Sequence, residues 1–183
     1  MRITGGIYRG RQVVCPPGVI RPAMDRMRES LFSILGTLEG LSFLDLFSGS
    51  GVVGIEAASR GAFPVHLVEM DRKKRKTILR NIEMVESEIR LYMVSVQKFT
   101  HIAPQSYQIV YTDPPFPLHG KQRLVKMTAD AGLVAPGGLY IIHFPAEEKL
   151  ADEIGTLTCI DERKYGRSRL RFYRQQDEET PYP

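Results

Sequence analysis

From Ser42 onward the chain alternates short apolar runs with helix-patterned stretches, and this rhythm narrows its possible folds more than any other feature. Phe43–Leu46, Val65–Glu69, Ile89–Val94, Gln108–Asp113 and Leu139–Phe144 read as strands. Between them lie a Gly-rich turn with a helix to about Arg60, a charged helix from about Arg72 to Val85, and a helix near Lys121–Ala131. Strands separated by helices predict a mostly parallel sheet with helices on both faces. Pro136-Gly137-Gly138 reads as a turn into the Leu139 strand. Gly155–Asp161 and Ser168–Tyr173 have no helix between them and meet near Gly166, which predicts an antiparallel C-terminal hairpin at the sheet edge and brings the strands to seven. Asp25 reads as the N-cap of a helix to about Leu38, with an apolar stripe of Met27, Leu31, Ile34, Leu35 and Leu38. The first twenty or so residues carry Gly5-Gly6, Gly10 and Pro16-Pro17-Gly18 between β-prone pieces, and read as a β-hairpin arm outside this α/β core.

At 183 residues the chain suits one α/β domain. It has no run of eighteen apolar residues and its first residues lack the apolar core of a signal peptide, so we expect a cytoplasmic protein without a membrane span. Cys15 and Cys159 have no metal-ligand spacing and are expected to be reduced. Charge is placed unevenly. Residues 1–30 hold six arginines (Arg2, Arg9, Arg11, Arg21, Arg26, Arg28) against Asp25 and Glu29, which accounts for the whole net charge of +4. A second cluster comprises Arg163, Lys164, Arg167, Arg169, Arg171 and Arg174. Arginine's planar fork suits phosphate, so both clusters are compatible with a nucleic-acid partner. Each is equally compatible with a solvated surface.

Two turns carry the chemistry. Asp45-Leu46-Phe47-Ser48-Gly49-Ser50-Gly51 follows the first strand and opens a helix, and Gly49, Gly51 and Gly54 satisfy G-x-G-x-x-G. Glycines admit a ligand close to the backbone, and about twenty residues on Glu69 ends the second strand, where a carboxylate accepts both hydroxyls of a ribose. A nicotinamide dinucleotide would need its pyrophosphate at these glycines, where Asp45 would repel it. S-adenosyl-L-methionine places its methionine end there instead, and Asp45 would attract that ammonium or order a water beside it. The other turn, Asp113-Pro114-Pro115-Phe116, must end its strand because proline cannot donate a ladder hydrogen bond. It presents a carboxylate, unpaired carbonyls and an aromatic ring, which suits a planar amine. Alone, it serves as well as a capped strand end with a core Phe.

Together, Asp45-x-Phe47-x-Gly49-x-Gly51 and Asp113-Pro114-Pro115-Phe116 resemble the class I S-adenosylmethionine-dependent methyltransferases that act on nucleobase nitrogens. The opening Met1-Arg2-Ile3-x-Gly5-Gly6-x-Tyr8-Arg9-Gly10-Arg11 is family-specific, as are Arg21-Pro22-x-x-Asp25-Arg26-x-Arg28-Glu29-x-Leu31-Phe32 and Val68-Glu69-x-Asp71-Arg72. These are similar to the bacterial enzymes that form N2-methylguanine in 16S ribosomal RNA, over Met1 to about Phe172. The resemblance implies a Rossmann-like sheet, a basic arm over 1–22, a methyltransferase domain over 23–175 and a polar tail over 176–183. It implies S-adenosyl-L-methionine held by Asp45, Phe47, Gly49, Gly51, Glu69, Met70, Ser95 and Val96. The catalytic turn would be Asp113, Pro114, Pro115 and Phe116. The partner would be 16S ribosomal RNA, in an assembling or assembled small subunit, bound by a monomer through Arg2, Arg9, Arg11, Arg21, Arg26 and Arg28. Two positions depart from the family pattern. Ser95 stands where an Asp usually binds the adenine amino group, and Phe116 stands where Tyr is common.

In this reading Asp113 and the Pro114 carbonyl accept hydrogen bonds from guanine N2 as it becomes tetrahedral, Phe116 stacks on the base, and the sulfonium is the leaving group, so the reaction asks for no metal. Arg26 and Arg28 could instead brace the cofactor or the catalytic turn, and His119 and Lys121 lie where they could touch substrate. His66, His101 and His143 have no evident role. Three alternatives stand beside this reading: a DNA adenine-N6 methyltransferase, a nicotinamide-dependent oxidoreductase, and a non-catalytic RNA-binding protein.

Overall fold

The computed structural model describes residues 1–15 and 22–177. The chain forms two compact units, Met1–Phe99 and Thr100–Pro183.

The first unit contains α1 (Pro22–Leu35), β1 (Phe43–Leu46), α2 (Val52–Ser59), β2 (Val65–Val68), α3 (Arg75–Ile82), β3 (Ile89–Tyr92) and the short α4 (Val96–Phe99). Its strands lie in the order β3-β2-β1, all parallel, with Phe43 beside Val65 and Val65 beside Ile89. Every residue of β1 and β2 is buried, as expected where both faces of a parallel sheet are covered. Helix α2 is buried along its whole length, and Gly54 is what lets it lie on β2, since a Cβ there would sit 2.2 Å from Leu67 Cδ2. The expected helix over 25–38 instead begins at Pro22, a residue preorganised for the first helical position, and ends at Leu35 because Gly36 turns left-handed. The expected single helix over 72–85 is split into a 3₁₀ turn at Arg72–Lys74, capped by Asp71, and α3.

The N-terminal segment is not a separate arm. Its two halves approach through Ile3 N–H to Arg11 O (3.0 Å), Val13 N–H to Met1 O (2.9 Å) and one isolated antiparallel bridge, Arg2 with Gln12. Ile3, Tyr8 and Val13 are buried, so the segment is part of the core. Ile7 N–H bonds Ser59 O, Tyr8 N–H bonds Ser59 Oγ, and Asn81 bonds both backbone groups of Val14. Hydrophobic positions spaced along a polar, Gly-rich segment are what allow it to lie down on α2 and α3.

The second unit contains β4 (Tyr107–Thr112), α5 (Lys121–Asp130), β5 (Val134–Pro145), β6 (Glu153–Ile154), β7 (Leu157–Tyr165) and β8 (Ser168–Gln175), ordered β4-β5-β8-β7-β6. β4 and β5 are parallel; the other pairs are antiparallel. Eight strands are therefore present among the described residues rather than the seven expected, the extra one being the two-residue β6. Pro136-Gly137-Gly138 lies inside β5 rather than before it, as an irregularity that lets Val134 pair with Tyr107 and Leu139 with Ile109. Gly138 permits this close approach, since a Cβ there would meet Gln108 O at 3.0 Å. β7 and β8 form the expected hairpin about Gly166, whose φ is +57°.

Candidate active site

In the first unit, the turn after β1 is built on left-handed backbone at Phe47 (φ +65°), Gly49 (+59°) and Gly51 (+80°), the last of which caps α2. An aromatic residue at positive φ is uncommon, and such outliers concentrate at ligand sites. Ser48 pins the turn, donating from Oγ to Asp45 O (2.7 Å) and from its amide to Val68 O (3.0 Å). Asp45 is buried, and its Oδ2 accepts from Gly54 N–H at 3.2 Å, so the carboxylate holds the first turn of α2. Gly49 has open space beside it: a Cβ there would meet nothing closer than Phe47 O at 3.9 Å. Asn81, buried on α3, donates to Ser50 O at 2.9 Å and to Val14 O at 2.8 Å, which joins the N-terminal segment to the turn.

Glu69 directly follows β2 and is buried. Its Oε1 accepts from Asp71 N–H (2.8 Å), and its Oε2 from Gly49 N–H (3.1 Å) and Lys74 Nζ (2.9 Å). The carboxylate thus ties the glycine turn to the loop after β2. Lys74 is its salt-bridge partner, which sequence spacing did not bring out. Met70 beside it is exposed. Ser95 caps α4, its Oγ accepting from Lys98 N–H at 3.1 Å, and Val96 is buried as the first residue of that helix. These residues fit a nucleoside cofactor: an open glycine turn, a carboxylate one strand over, and a hydroxyl and amide after the third strand.

In the second unit, Asp113 directly follows β4. Its Oδ1 lies 2.9 Å from His143 Nδ1, with the Asp113 side chain 21% exposed and that of His143 5%. Thr112 pairs with Ile142, so the parallel register places Asp113 alongside His143. Phe116 meets the same imidazole edge to face, with centroids 5.3 Å apart at 61°. Pro114 is buried and Pro115 exposed, and Leu118 N–H bonds Pro115 O (2.8 Å). His143 was given no role from sequence. It sits in the apolar run Ile141-Ile142-His143-Phe144, where a lone polar residue was the only available signal.

Lys121 departs from expectation. It is 1% exposed, and its Nζ donates to Phe116 O (2.9 Å), Leu118 O (2.8 Å) and Glu148 Oε1 (2.6 Å). It braces the loop after the proline turn instead of facing substrate. His119 is exposed.

The arginines separate by their surroundings. Arg2, Arg9, Arg11 and Arg26 are exposed, although Arg11 also bonds Met84 O and covers the Tyr8 ring. Arg28 is 3% exposed and donates to Glu56 Oε2 (3.1 Å), Asp25 Oδ1 (2.9 Å) and Arg2 O (2.7 Å). Its guanidinium is consumed by this buried network and is not free to hold a phosphate or brace a ligand. Arg21 lies outside the described residues. On the C-terminal hairpin, Arg169 and Arg171 share Glu162 and Arg163 pairs with Asp161, whereas Lys164, Arg167 and Arg174 are exposed, so only half of that cluster is engaged by carboxylates. Among the described residues no group of three or more His, Cys, Asp or Glu is arranged to hold a metal, and no helix is long and apolar enough to cross a membrane.

Parallel strands ending in a glycine turn, a buried carboxylate and an Asp-Pro-Pro-Phe turn, with an antiparallel C-terminal pair, define a class I methyltransferase fold. Solved structures agree: the Escherichia coli protein yhhF, assigned to the methyltransferases, superposes with a TM-score of 0.85 at 29% identity, over 97% of this chain and 99% of that one. A Thermus protein of no assigned function superposes at 0.82 and 30% identity, over 94% and 98%. The more distant SMU.776, complexed with S-adenosylhomocysteine, superposes at 0.68 and 17% identity over 91% of this chain and 52% of that one, and shares the fold. The model of the family Conserved hypothetical protein 95 matches residues 1–174, and the chain belongs to that family. It is 31% identical over 180 residues to ribosomal RNA small subunit methyltransferase D of Escherichia coli K12, covering 96% of this chain and 90% of that relative.

Proposed function

We propose that this protein transfers the methyl group of S-adenosyl-L-methionine to the exocyclic N2 amine of a guanine in the 16S ribosomal RNA of the small subunit. The observation that carries the reading is the Asp113 turn. A partly exposed carboxylate is held by a buried imidazole beside an aromatic ring, directly after a parallel strand. The similarity to ribosomal RNA small subunit methyltransferase D supports the class of RNA.

When bound, S-adenosyl-L-methionine supplies an electrophilic methyl on a sulfonium whose departure leaves a neutral thioether. The Gly49–Gly51 backbone would take its methionine end, Glu69 its ribose hydroxyls, with Lys74 yielding one oxygen, and Ser95 and Val96 the adenine edge. Guanine N2 is a poor nucleophile because its lone pair is delocalised into the ring. Asp113 and the Pro114 carbonyl, accepting its two N–H groups, favour the tetrahedral nitrogen and stabilise the positive charge that develops there, and once the methyl is on nitrogen one N–H proton leaves to Asp113 or solvent. Phe116 stacks on the flipped base. In-line placement supplies much of the remaining rate. Arg2, Arg9, Arg11 and Arg26 would hold RNA phosphates, with Arg21 as a further candidate.

The test is to incubate the protein and labelled S-adenosyl-L-methionine with small ribosomal subunits, free ribosomal RNA and duplex DNA, then digest and identify the methylated nucleoside. N2-methylguanosine from the ribosomal substrate is the expected product. N6-methyladenine in DNA, or RNA binding with no methyl transfer, overturns the reading.

A further inference from the structure

His143 makes two contacts that no sequence pattern required: Nδ1 to Asp113 Oδ1 at 2.9 Å, and an edge-to-face contact with the Phe116 ring, centroids 5.3 Å apart. An ionised carboxylate only accepts hydrogen bonds, so the hydrogen on the first contact belongs to Nδ1. Nε2 is buried and has no hydrogen-bond partner among the described residues. The ring itself sits on β5, where His143 pairs with Leu170 of β8 and the preceding Ile142 pairs with both Thr112 of β4 and Arg171 of β8, so it is anchored on a strand and not on a loop. By contrast, Asp113 lies on a turn, and an aspartate's terminal torsion is broad when nothing holds it.

We infer that His143 is a positioning residue for the proposed methyl transfer. It ties down Oδ1, leaves Oδ2 of the same carboxylate to accept an N–H of the target amine, and fixes the angle between that acceptor and the Phe116 ring. One rigid imidazole thereby sets the hydrogen-bonding edge and the stacking face that a nucleobase amine must meet together. The inference rests on the amine-binding reading of the Asp113 turn. It involves no bond to His143 and no proton transfer through it.

The experiment compares His143→Leu, which removes the donor, with His143→Asn, whose amide N–H can reach the same oxygen. Melting temperature and S-adenosylhomocysteine binding by calorimetry check that both variants fold. His143→Leu is expected to lower kcat by roughly 10- to 100-fold, the scale of a small misplacement of a reacting group, with the KM for RNA changing less than about threefold. His143→Asn is expected to recover most of that loss. In an Asp113→Ala background the Leu substitution should cost less than about twofold more, because the two residues act as one unit. Unchanged kcat in His143→Leu, equal damage in Leu and Asn, or full additivity with Asp113→Ala each overturns the inference. A second readout needs no RNA: ¹⁵N spectra of the imidazole should report hydrogen on Nδ1 in the wild type and a shift on Asp113→Ala. Hydrogen on Nε2 with none on Nδ1, or no response to Asp113→Ala, overturns the inference even if the RNA substrate proves different. Absence of methyl transfer by the wild type alone counts against the substrate and not against this pairing.

Discussion

Asp113 has one oxygen committed to His143 and a side chain still partly open, so truncating it removes the proposed amine acceptor at the cost of the hydrogen bond to His143 Nδ1. Asp113→Ala should lower kcat by about 10²- to 10³-fold, the usual effect of deleting one preorganised electrostatic partner of a transition state. S-adenosylhomocysteine affinity, read by calorimetry, should stay the same. Glu56 behaves differently. It is fully buried on α2 and accepts from Arg28, Arg60, the Thr4 amide and the Thr4 hydroxyl. Removing its charge strands two arginines, so Glu56→Gln should cost about 3–5 kcal/mol in urea unfolding, as expected when one partner of a buried ionic network is removed. Asp113 was legible as a candidate site because two prolines fix its turn. Glu56 was not, because its partners come from residues four, twenty-eight and fifty-two positions away.

At the level of elements, the N-terminal segment is the part whose role changed most. Gly6 has φ +75° and a Cβ there would lie 1.8 Å from Ser59 O, so Gly6→Ala should separate the segment from α2 and lower the melting temperature. Deleting residues 1–14 should do the same, lowering thermal stability in the absence of any RNA, which a detached arm would not. β2 adds a pH dependence. Burial lowers the His66 pKa from its usual 6.5, with Glu88 opposing and Arg90 reinforcing that shift. A lowered pKa means the unfolded chain takes up a proton first. The stability is therefore fully present above pH 6.5 and declines as the pH falls below it, and His66→Gln should flatten that acid limb in denaturation curves taken from about pH 7.5 to about pH 5. Element order and type were readable because the apolar runs have clear lengths and breaks. β6 and the irregularity in β5 were not, because each depends on what a neighbouring segment offers for pairing, and the 3₁₀ turn at Arg72–Lys74 is set instead by the Asp71 cap on Lys73 N–H.

For the molecule as a whole, the net charge of +4 overstates what is available to an RNA. Arg28, Arg169 and Arg171 are bound to carboxylates, whereas Arg2, Arg9 and Arg26 are exposed. Arg9→Ala should therefore weaken RNA binding. It should also reduce the slope of log affinity against log salt by about 0.7–0.9 for each RNA phosphate it no longer neutralises, measured by titration at several salt concentrations. Arg28→Ala should instead reduce stability. The sequence by itself determined the strand–helix alternation, the glycine turn and the proline turn, because each depends on local chemistry: apolar period, left-handed backbone, a missing amide. Tertiary structure alone decided that Asp113 meets His143, that Glu69 pairs with Lys74, that Lys121 turns inward and that the N-terminal arginines divide into buried and exposed. Those outcomes depend on strand register and on which side chains compete for a buried partner, and neither is encoded in any short stretch of chain.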